Sequence, residues 1–283
     1  DARCARRDGC DVVSDTPAIT GSPDAPAAAG RPPLYFIHGM WSTPAVWAGL
    51  RERFEAAGYT THAACLPYHD RDPSLPPVPE LGKLGVQDYV DFLVADIARL
   101  LQTPIIIGHS LGGFLAQAVA ARIQPPALVL LSPAPSAKTG VLALNSLRAM
   151  WGVIRHWGWW KSPTLLDDAG ARFGVYNGVP AEVADAEIKA LVWDSGRVLF
   201  ELSLPGVAKA PAATIDFSRL TMPVLVVVGA DDQITTAAVG RATARAIGSN
   251  VDYHELPDTG HWLFFGATMT KVGDLIAAWL KQR

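Results

Sequence analysis

The sequence predicts an α/β fold: a mostly parallel sheet with helices on both faces and an inserted helical cap. Three observations carry this. Short β-branched and aliphatic runs alternate with helical stretches along most of the chain, which is the rhythm of strand–helix–strand units. One such unit, residues 105–123, reads as a strand, a tight turn through Gly108, Ser110 and Gly112, and an apolar, alanine-rich helix. The alternation then lapses over residues 136–219, where Trp- and Leu-rich helical pieces broken by Gly and Pro replace it.

The elements follow in order. Residues 1–33 are rich in Ala, Pro, Asp, Gly and Arg without period, and read as an irregular arm. Residues 34–37 form a strand that runs into His38-Gly39-Met40-Trp41. A helix starts at Ser42-Thr43-Pro44, because Thr43 can cap and Pro44 suits a first turn. It carries Val46, Trp47, Leu50 and Phe54 at helical spacing and ends near Gly58. Residues 60–66 read as a strand and residues 67–79 as a proline-rich loop. Residues 86–101 read as an amphipathic helix with Val90, Leu93, Val94, Ile97 and Leu101 on one face.

After the strand–turn–helix unit comes a buried strand over 127–131. Beyond the cap, residues 223–228 resume the buried-strand style. A helix over 236–247, a strand over 251–256 and a last helix over 267–280 complete the chain. Three units result: the arm over 1–33, a core over 34–135 and 220–283, and the cap over 136–219.

Composition excludes several function classes. Net charge is -3 with 18% charged residues, and no basic stripe argues for nucleic acid. The apolar fraction of 49% contains no uncharged run of membrane-spanning length, so a soluble protein is expected. The three cysteines, Cys4, Cys10 and Cys65, show no metal spacing, and His62, His69, His156 and His254 form none either. No metal or cofactor is therefore expected. The cysteines read as reduced thiols, two in the arm and one buried, which leans towards the cytoplasm without fixing a compartment. The chain opens on Asp1 rather than Met, which implies a removed leader or a trimmed start. No charged-then-apolar signal segment is visible in it. Oligomeric state is not readable.

The chemistry gathers at three places. In Gly108-His109-Ser110-Leu111-Gly112 the pattern G-x-S-x-G sits between a strand and a helix, where the flanking glycines let a strained serine backbone turn sharply. The alternative for Ser110 is a helix cap with no further role. Asp231 and Asp232 follow the strand over 223–228, and His261 lies in the loop after 251–256, so all three places fall at the carboxyl ends of strands. A serine hydroxyl is a weak nucleophile until a base takes its proton. An imidazole can take and return that proton, and a carboxylate on its far nitrogen fixes the tautomer.

With these residues in the order Ser, Asp, His, the chain resembles the α/β-hydrolase superfamily, on its serine esterase and lipase side, over residues 34–281. The matching pieces are His38-Gly39-Met40-Trp41, Gly108-His109-Ser110-Leu111-Gly112, Gly229-Ala230-Asp231-Asp232-Gln233-Ile234 and Gly260-His261-Trp262. The resemblance implies the α/β-hydrolase fold, a triad of Ser110, Asp232 and His261, and an oxyanion hole made by the backbone N–H groups of Met40 and Leu111. It implies hydrolysis of a carboxylic ester through an acyl-enzyme. A serine nucleophile sets the chain apart from the dehalogenase and epoxide-hydrolase branches, which use aspartate. Lactonase, thioesterase, C–C hydrolase, amidase and acyltransferase chemistry remain alternatives, as does a non-catalytic ligand-binding protein.

Two departures stand out. The arm shows no clear first hairpin of strands, and Thr235 and Thr236 stand where relatives carry a proline after the acid. Asp231 and Asp258 are the neighbouring alternatives to Asp232. His38 and His109 are expected to pack and hydrogen-bond around the loops, and Arg197 with Glu201 to form a solvated helical pair. The substrate pocket is expected to include Trp41, His109, Trp157, Trp159 and Trp160; for the cap tryptophans, cap core and pocket wall both fit. A cap lined by such residues favours a small, uncharged, hydrophobic ester.

Overall fold

The structure is a computed structural model that describes residues 30–140 and 144–283. The arm read over 1–33, with Cys4, Cys10 and the first hairpin, thus lies almost wholly outside the described residues.

The strands are β1 (Leu34–Ile37), β2 (Thr61–Ala64), β3 (Ile105–His109), β4 (Leu128–Leu131), β5 (Pro163–Thr164), β6 (Asp194–Ser195), β7 (Val224–Gly229) and β8 (Val251–Leu256). Six of them form one sheet in the order β2-β1-β3-β4-β7-β8, with every pair parallel. The four inner strands are buried along their whole length, which explains why they read as continuous apolar runs. The outer β8 carries Asp252, His254 and Glu255 and is partly exposed.

Side chains on β1 alternate between two cores. Tyr35 and Ile37 pack with α2 (Val86–Ile97) and α3 (Leu111–Ile123), through Val90, Leu93, Phe114 and Leu115. Leu34 and Phe36 pack on the other face with α1 (Ala48–Ala56) and the helix Gly266–Leu280, through Leu50, Phe54, Val272 and Ile276. The chain runs from β1 outward to β2 and then back across to β3, so strand order reverses between β1 and β3. A crevice opens at the carboxyl ends of the strands at such a reversal.

The stretch that the sequence reads as a cap leaves the sheet after β4 and returns before β7. It is not wholly helical: β5 and β6 pair antiparallel inside it, with Pro163 opposite Ser195 and Thr164 opposite Asp194. Its own core joins Val153, Leu166, Tyr176, Leu191 and Leu199 to Trp41 and Trp262 of the sheet loops.

Two sequence expectations change. Helix α2 stops at Ile97, with Ala98 as its C-cap, so the apolar period is lost before Leu101, which is fully exposed rather than on the buried face. Glu201 is buried and is not part of a solvated pair. Its Oε1 accepts from Arg197 Nε at 2.9 Å, while Oε2 accepts the Val86 N–H at 2.7 Å. A carboxylate there satisfies an N–H group that α2 leaves without an intrahelical acceptor, and opposes the helix dipole. No helix among the described residues is long and apolar enough to cross a membrane.

Candidate active site

Ser110 sits between β3 and α3 with φ +54° and ψ -120°, a left-handed backbone that a non-glycine residue adopts only under constraint. The constraints are visible. The Ser110 N–H donates to the Leu131 carbonyl at 3.0 Å, and its own carbonyl accepts from Ala134 N–H at 2.8 Å and Gly113 N–H at 2.9 Å. A Cβ at Gly112 would overlap the Ile37 and His38 carbonyl oxygens, and one at Gly108 would overlap the Gly112 carbonyl. The glycines of the pattern are therefore set by backbone crossing backbone at the turn.

The two N–H groups expected to form an oxyanion hole lie on either side of Ser110. Leu111 opens α3, where the helix itself supplies no acceptor for its N–H. Met40 lies on the loop after β1, which passes close enough that a Cβ on Gly39 would stand 3.1 Å from Ser110 Cβ. His38 shapes that loop. Its Nδ1–H donates to the Gly39 carbonyl at 2.9 Å, and its Nε2 accepts the Leu66 N–H at 3.3 Å. Burial, aided by nearby His69, lowers the His38 pKa to about 3, so the ring holds the loop as a neutral group.

Asp232 and His261 meet in the loops that follow β7 and β8. His261 Nδ1 lies 2.7 Å from Asp232 Oδ2, with both side chains buried. The other carboxylate oxygen, Oδ1, accepts the backbone N–H groups of Ile234 and Thr235, each at 2.9 Å. Burial pushes the Asp232 carboxyl up, but the His261 ring and those two N–H donors outweigh it and hold it below the usual carboxylate range. Asp231 is exposed, and its carbonyl accepts from Asn177 and Gln233.

Thr235 turns out to belong to the same cluster. Its Oγ1 lies 3.0 Å from both His261 Nδ1 and Asp232 Oδ2, and 2.9 Å from the Ser132 carbonyl. With one hydroxyl proton to give, Thr235 accepts from Nδ1–H and donates to one of the two oxygens. The sequence marked this position only as a missing proline. His109 supports His261 from below: its Nε2–H donates to the His261 carbonyl at 3.1 Å and the rings lie 4.7 Å apart. Burial, with His261 adding to it, lowers His109 to about 3, so it stays neutral.

A pH consequence follows from Asp232. Its folded-state pKa lies below its unfolded value, so its share of stability is present above the unfolded value and is lost as pH falls through the folded one. Thermal melts of wild type and Asp232→Asn should therefore differ at neutral pH and converge as the buffer is taken down through the carboxylate range. A gap that stays constant to strong acid would contradict the lowered carboxyl.

Ser110 and His261 line one cavity of about 620 Å³ that also contains Met40 and Leu111. Its wall is mostly apolar, with Leu147, Met150, Ile154, Leu166, Tyr176 and Leu199 from the cap, and it also includes Ser42, Ser136, Ser146 and Ser203. Among the described residues no Asp, Glu, Lys or Arg lines it. Of the expected pocket residues, Trp41, His109 and Trp159 line the cavity, and Trp157 and Trp160 do not. Trp157 is 93% exposed. Trp160 packs on Trp157, Trp159 and Phe200 instead. The reason is the turn at Gly158, φ +84°, which reverses the chain so that Trp159 faces inward and Trp157 outward. Cys65 is only partly buried, and burial pushes its thiol up to about 12, so it is no competing nucleophile. Among the described residues no three His, Cys, Asp or Glu side chains are grouped to hold a metal ion.

A parallel sheet, a serine at a strained strand-to-helix turn and a buried carboxylate–imidazole pair at the strand ends define a class of fold rather than one protein. Comparison with known proteins names that class: the chain matches the sequence profile of the Alpha/beta hydrolase family over residues 34–271 and belongs to that family. Among solved structures, it is similar to a methylesterase from Arabidopsis, with TM-score 0.64 and 16% identity, over 88% of this chain and 98% of that one. It is similar to a monoacylglycerol lipase from Paleococcus ferrophilus, with TM-score 0.64 and 22% identity, over 88% and 95%. It is also similar to a meta-cleavage product hydrolase from Pseudomonas fluorescens IP01, with TM-score 0.61 and 18% identity, over 89% and 91%. No curated protein sequence matches the chain.

Proposed function

We propose that the protein is a serine hydrolase that cleaves small, uncharged, hydrophobic carboxylic esters through an acyl-enzyme. The observation that carries this is the buried His261 Nδ1–Asp232 Oδ2 contact of 2.7 Å on the wall of the cavity that Ser110 lines. With Nδ1–H committed to Asp232, the other ring nitrogen, Nε2, is the unprotonated base. Ser110 Oγ attacks the ester carbonyl carbon as its proton passes to His261 Nε2, and the carbonyl oxygen takes the negative charge. The N–H groups of Met40 and Leu111 stabilise that charge. The tetrahedral species collapses, the alcohol leaves with the proton from Nε2, and the acyl group remains on Ser110. Water then repeats the sequence and releases the acid.

The ester preference is supported by the wall, not by the fold, because the family's structural neighbours include a methylesterase, a lipase, a thioesterase domain and a meta-cleavage product hydrolase. A charged substrate entering a cavity without a charged lining residue would lose its hydration with no partner. An acyl chain gains roughly 0.8 kcal/mol for each CH₂ it buries. On nitrophenyl esters of rising acyl length, kcat/KM should climb over the first few carbons and then fall where the cavity ends. Trp159→Ala should flatten that profile and Trp157→Ala should leave its shape intact. A wild-type preference for charged or sugar-bearing esters would remove the hydrophobic-ester reading.

A further inference from the structure

The loop that carries Met40 is held in place from the cap. Trp41, the next residue, has φ +59°, which is costly for a bulky side chain. Three cap residues hold it there. Its N–H donates to Asp194 Oδ2 at 3.1 Å, its carbonyl accepts from Val192 N–H at 2.9 Å, and its indole N–H donates to Thr164 Oγ1 at 3.3 Å. Asp194 is fully buried, 153 residues away in sequence, and stands in the short cap strand β6.

The Asp194 carboxylate has every position filled. Oδ1 accepts the Tyr89 hydroxyl at 2.7 Å and the Ser195 N–H at 2.6 Å. Oδ2 accepts the Trp41 N–H and also faces His69, whose Nε2 lies 3.1 Å away. The other His69 nitrogen, Nδ1, donates to the Pro67 carbonyl at 3.0 Å, so a neutral ring would turn a bare Nε2 lone pair on the carboxylate; the two groups face each other at ion-pair distance without hydrogen-bond alignment, a contact that favours the imidazolium. The pair is consistent in both directions. Burial works against each charge, and the partner outweighs it, raising His69 and lowering Asp194. This is a second buried carboxylate–imidazole pair, distinct from Asp232 and His261, and no step of the acyl transfer uses it.

We propose that Asp194 is a positioning residue for the oxyanion hole: its carboxylate, neutralised by His69, fixes the Trp41 peptide and through it the direction of the Met40 N–H. The physical case is local. The N–H of Trp41 belongs to the peptide unit directly after Met40. Pinning that unit restricts Met40 ψ and Trp41 φ; the Met40 N–H lies in the peptide plane before it, joined to the pinned plane at the Met40 Cα, and so is constrained from one side. Without the acceptor, the left-handed Trp41 is free to relax, and the Met40 N–H loses the constraint that reached it through the shared Met40 Cα. His69 has a further role, since an uncompensated carboxylate beside the loop would oppose the negative charge forming on the substrate oxygen. The cap thus completes the catalytic geometry as well as roofing the cavity. The inference rests on the reading of Ser110 and Met40 given above.

The test compares wild type with Asp194→Asn and His69→Gln. Asparagine keeps the volume but turns an N–H₂ group toward the Trp41 N–H; glutamine keeps a donor towards Asp194 and removes the charge. The readouts are the rate at which a fluorophosphonate labels Ser110, kcat and KM on a nitrophenyl ester, and the melting temperature. Asp194→Asn should lower the labelling rate and kcat together by about ten- to a hundredfold, less than loss of a hole donor outright, with KM within about threefold. His69→Gln should fall between it and wild type. Tyr35→Phe serves as the stability control, since it removes the 2.5 Å bond to Asp96 elsewhere in the core; it should lower the melting temperature and leave labelling unchanged. Folded variants that label and turn over like wild type would overturn the proposal, as would a raised KM at unchanged kcat. If Asp194→Asn does not fold, His69→Gln decides by the same criteria. A wild-type protein that no fluorophosphonate labels would instead remove the serine-hydrolase reading, and the positioning role with it.

Discussion

Ser110→Ala is expected to lose both fluorophosphonate labelling and ester turnover, with the rate falling by about 10⁴-fold or more. The expectation is large because the substitution removes the bond-forming atom and nothing else. The contacts that hold residue 110 in its turn are backbone contacts to Leu131, Gly113 and Ala134, and alanine keeps all of them. Alanine also tolerates φ +54° about as well as serine does, so the turn and α3 should survive. The residual rate would come from binding and from the N–H groups of Met40 and Leu111. Cys65 offers no substitute nucleophile, its thiol being pushed up to about 12 by burial. Near-wild-type turnover in the alanine variant would show that the reaction runs elsewhere.

Asp232→Asn should cut turnover by about three to four orders of magnitude, and Asp231→Asn by little. The amide oxygen of an asparagine at this position can still accept from the N–H groups of Ile234 and Thr235, so the loop has what it needs to fold. What changes is the atom facing His261 Nδ1, now an N–H₂ donor in place of Oδ2. Nδ1 must become the acceptor, the proton moves to Nε2, and the ring presents a donor to Ser110 where a base is required. Asp231 is exposed, and His261 Nδ1 is already committed to Asp232 and Thr235. The reverse ranking of the two variants would move the acid to Asp231.

How much of this was legible depended on the range of each interaction. The turn at Ser110 was readable because its causes are local: two glycines at fixed offsets, an apolar strand before and a helix after. Asp232 and His261 were readable as positions at strand ends, though only the fold brings them to 2.7 Å. The tryptophans divided, Trp41 and Trp159 lining the cavity and Trp157 and Trp160 not, because pocket or surface in the cap is decided by the turn at Gly158, and aromatic composition carries no direction. Leu101 failed because the helical period continued in the sequence after α2 had ended. Glu201 read as half of an i,i+4 pair, and its second oxygen was committed to Val86, 115 residues away. The His69–Asp194 pair left no signal at all: two isolated residues, one in a proline-rich loop and one in the cap, that become partners only when the cap closes on the sheet.

The most direct test of the account is to catch the acyl group on the enzyme. The protein is mixed with a nitrophenyl ester, quenched with acid on the millisecond-to-second scale, and digested for mass spectrometry. The account predicts a burst of nitrophenol and an acyl mass increment on the peptide containing Ser110, with the increment absent from Ser110→Ala. An acyl group mapped to any other residue, or turnover with no adduct on Ser110 under conditions where deacylation limits the rate, would contradict it.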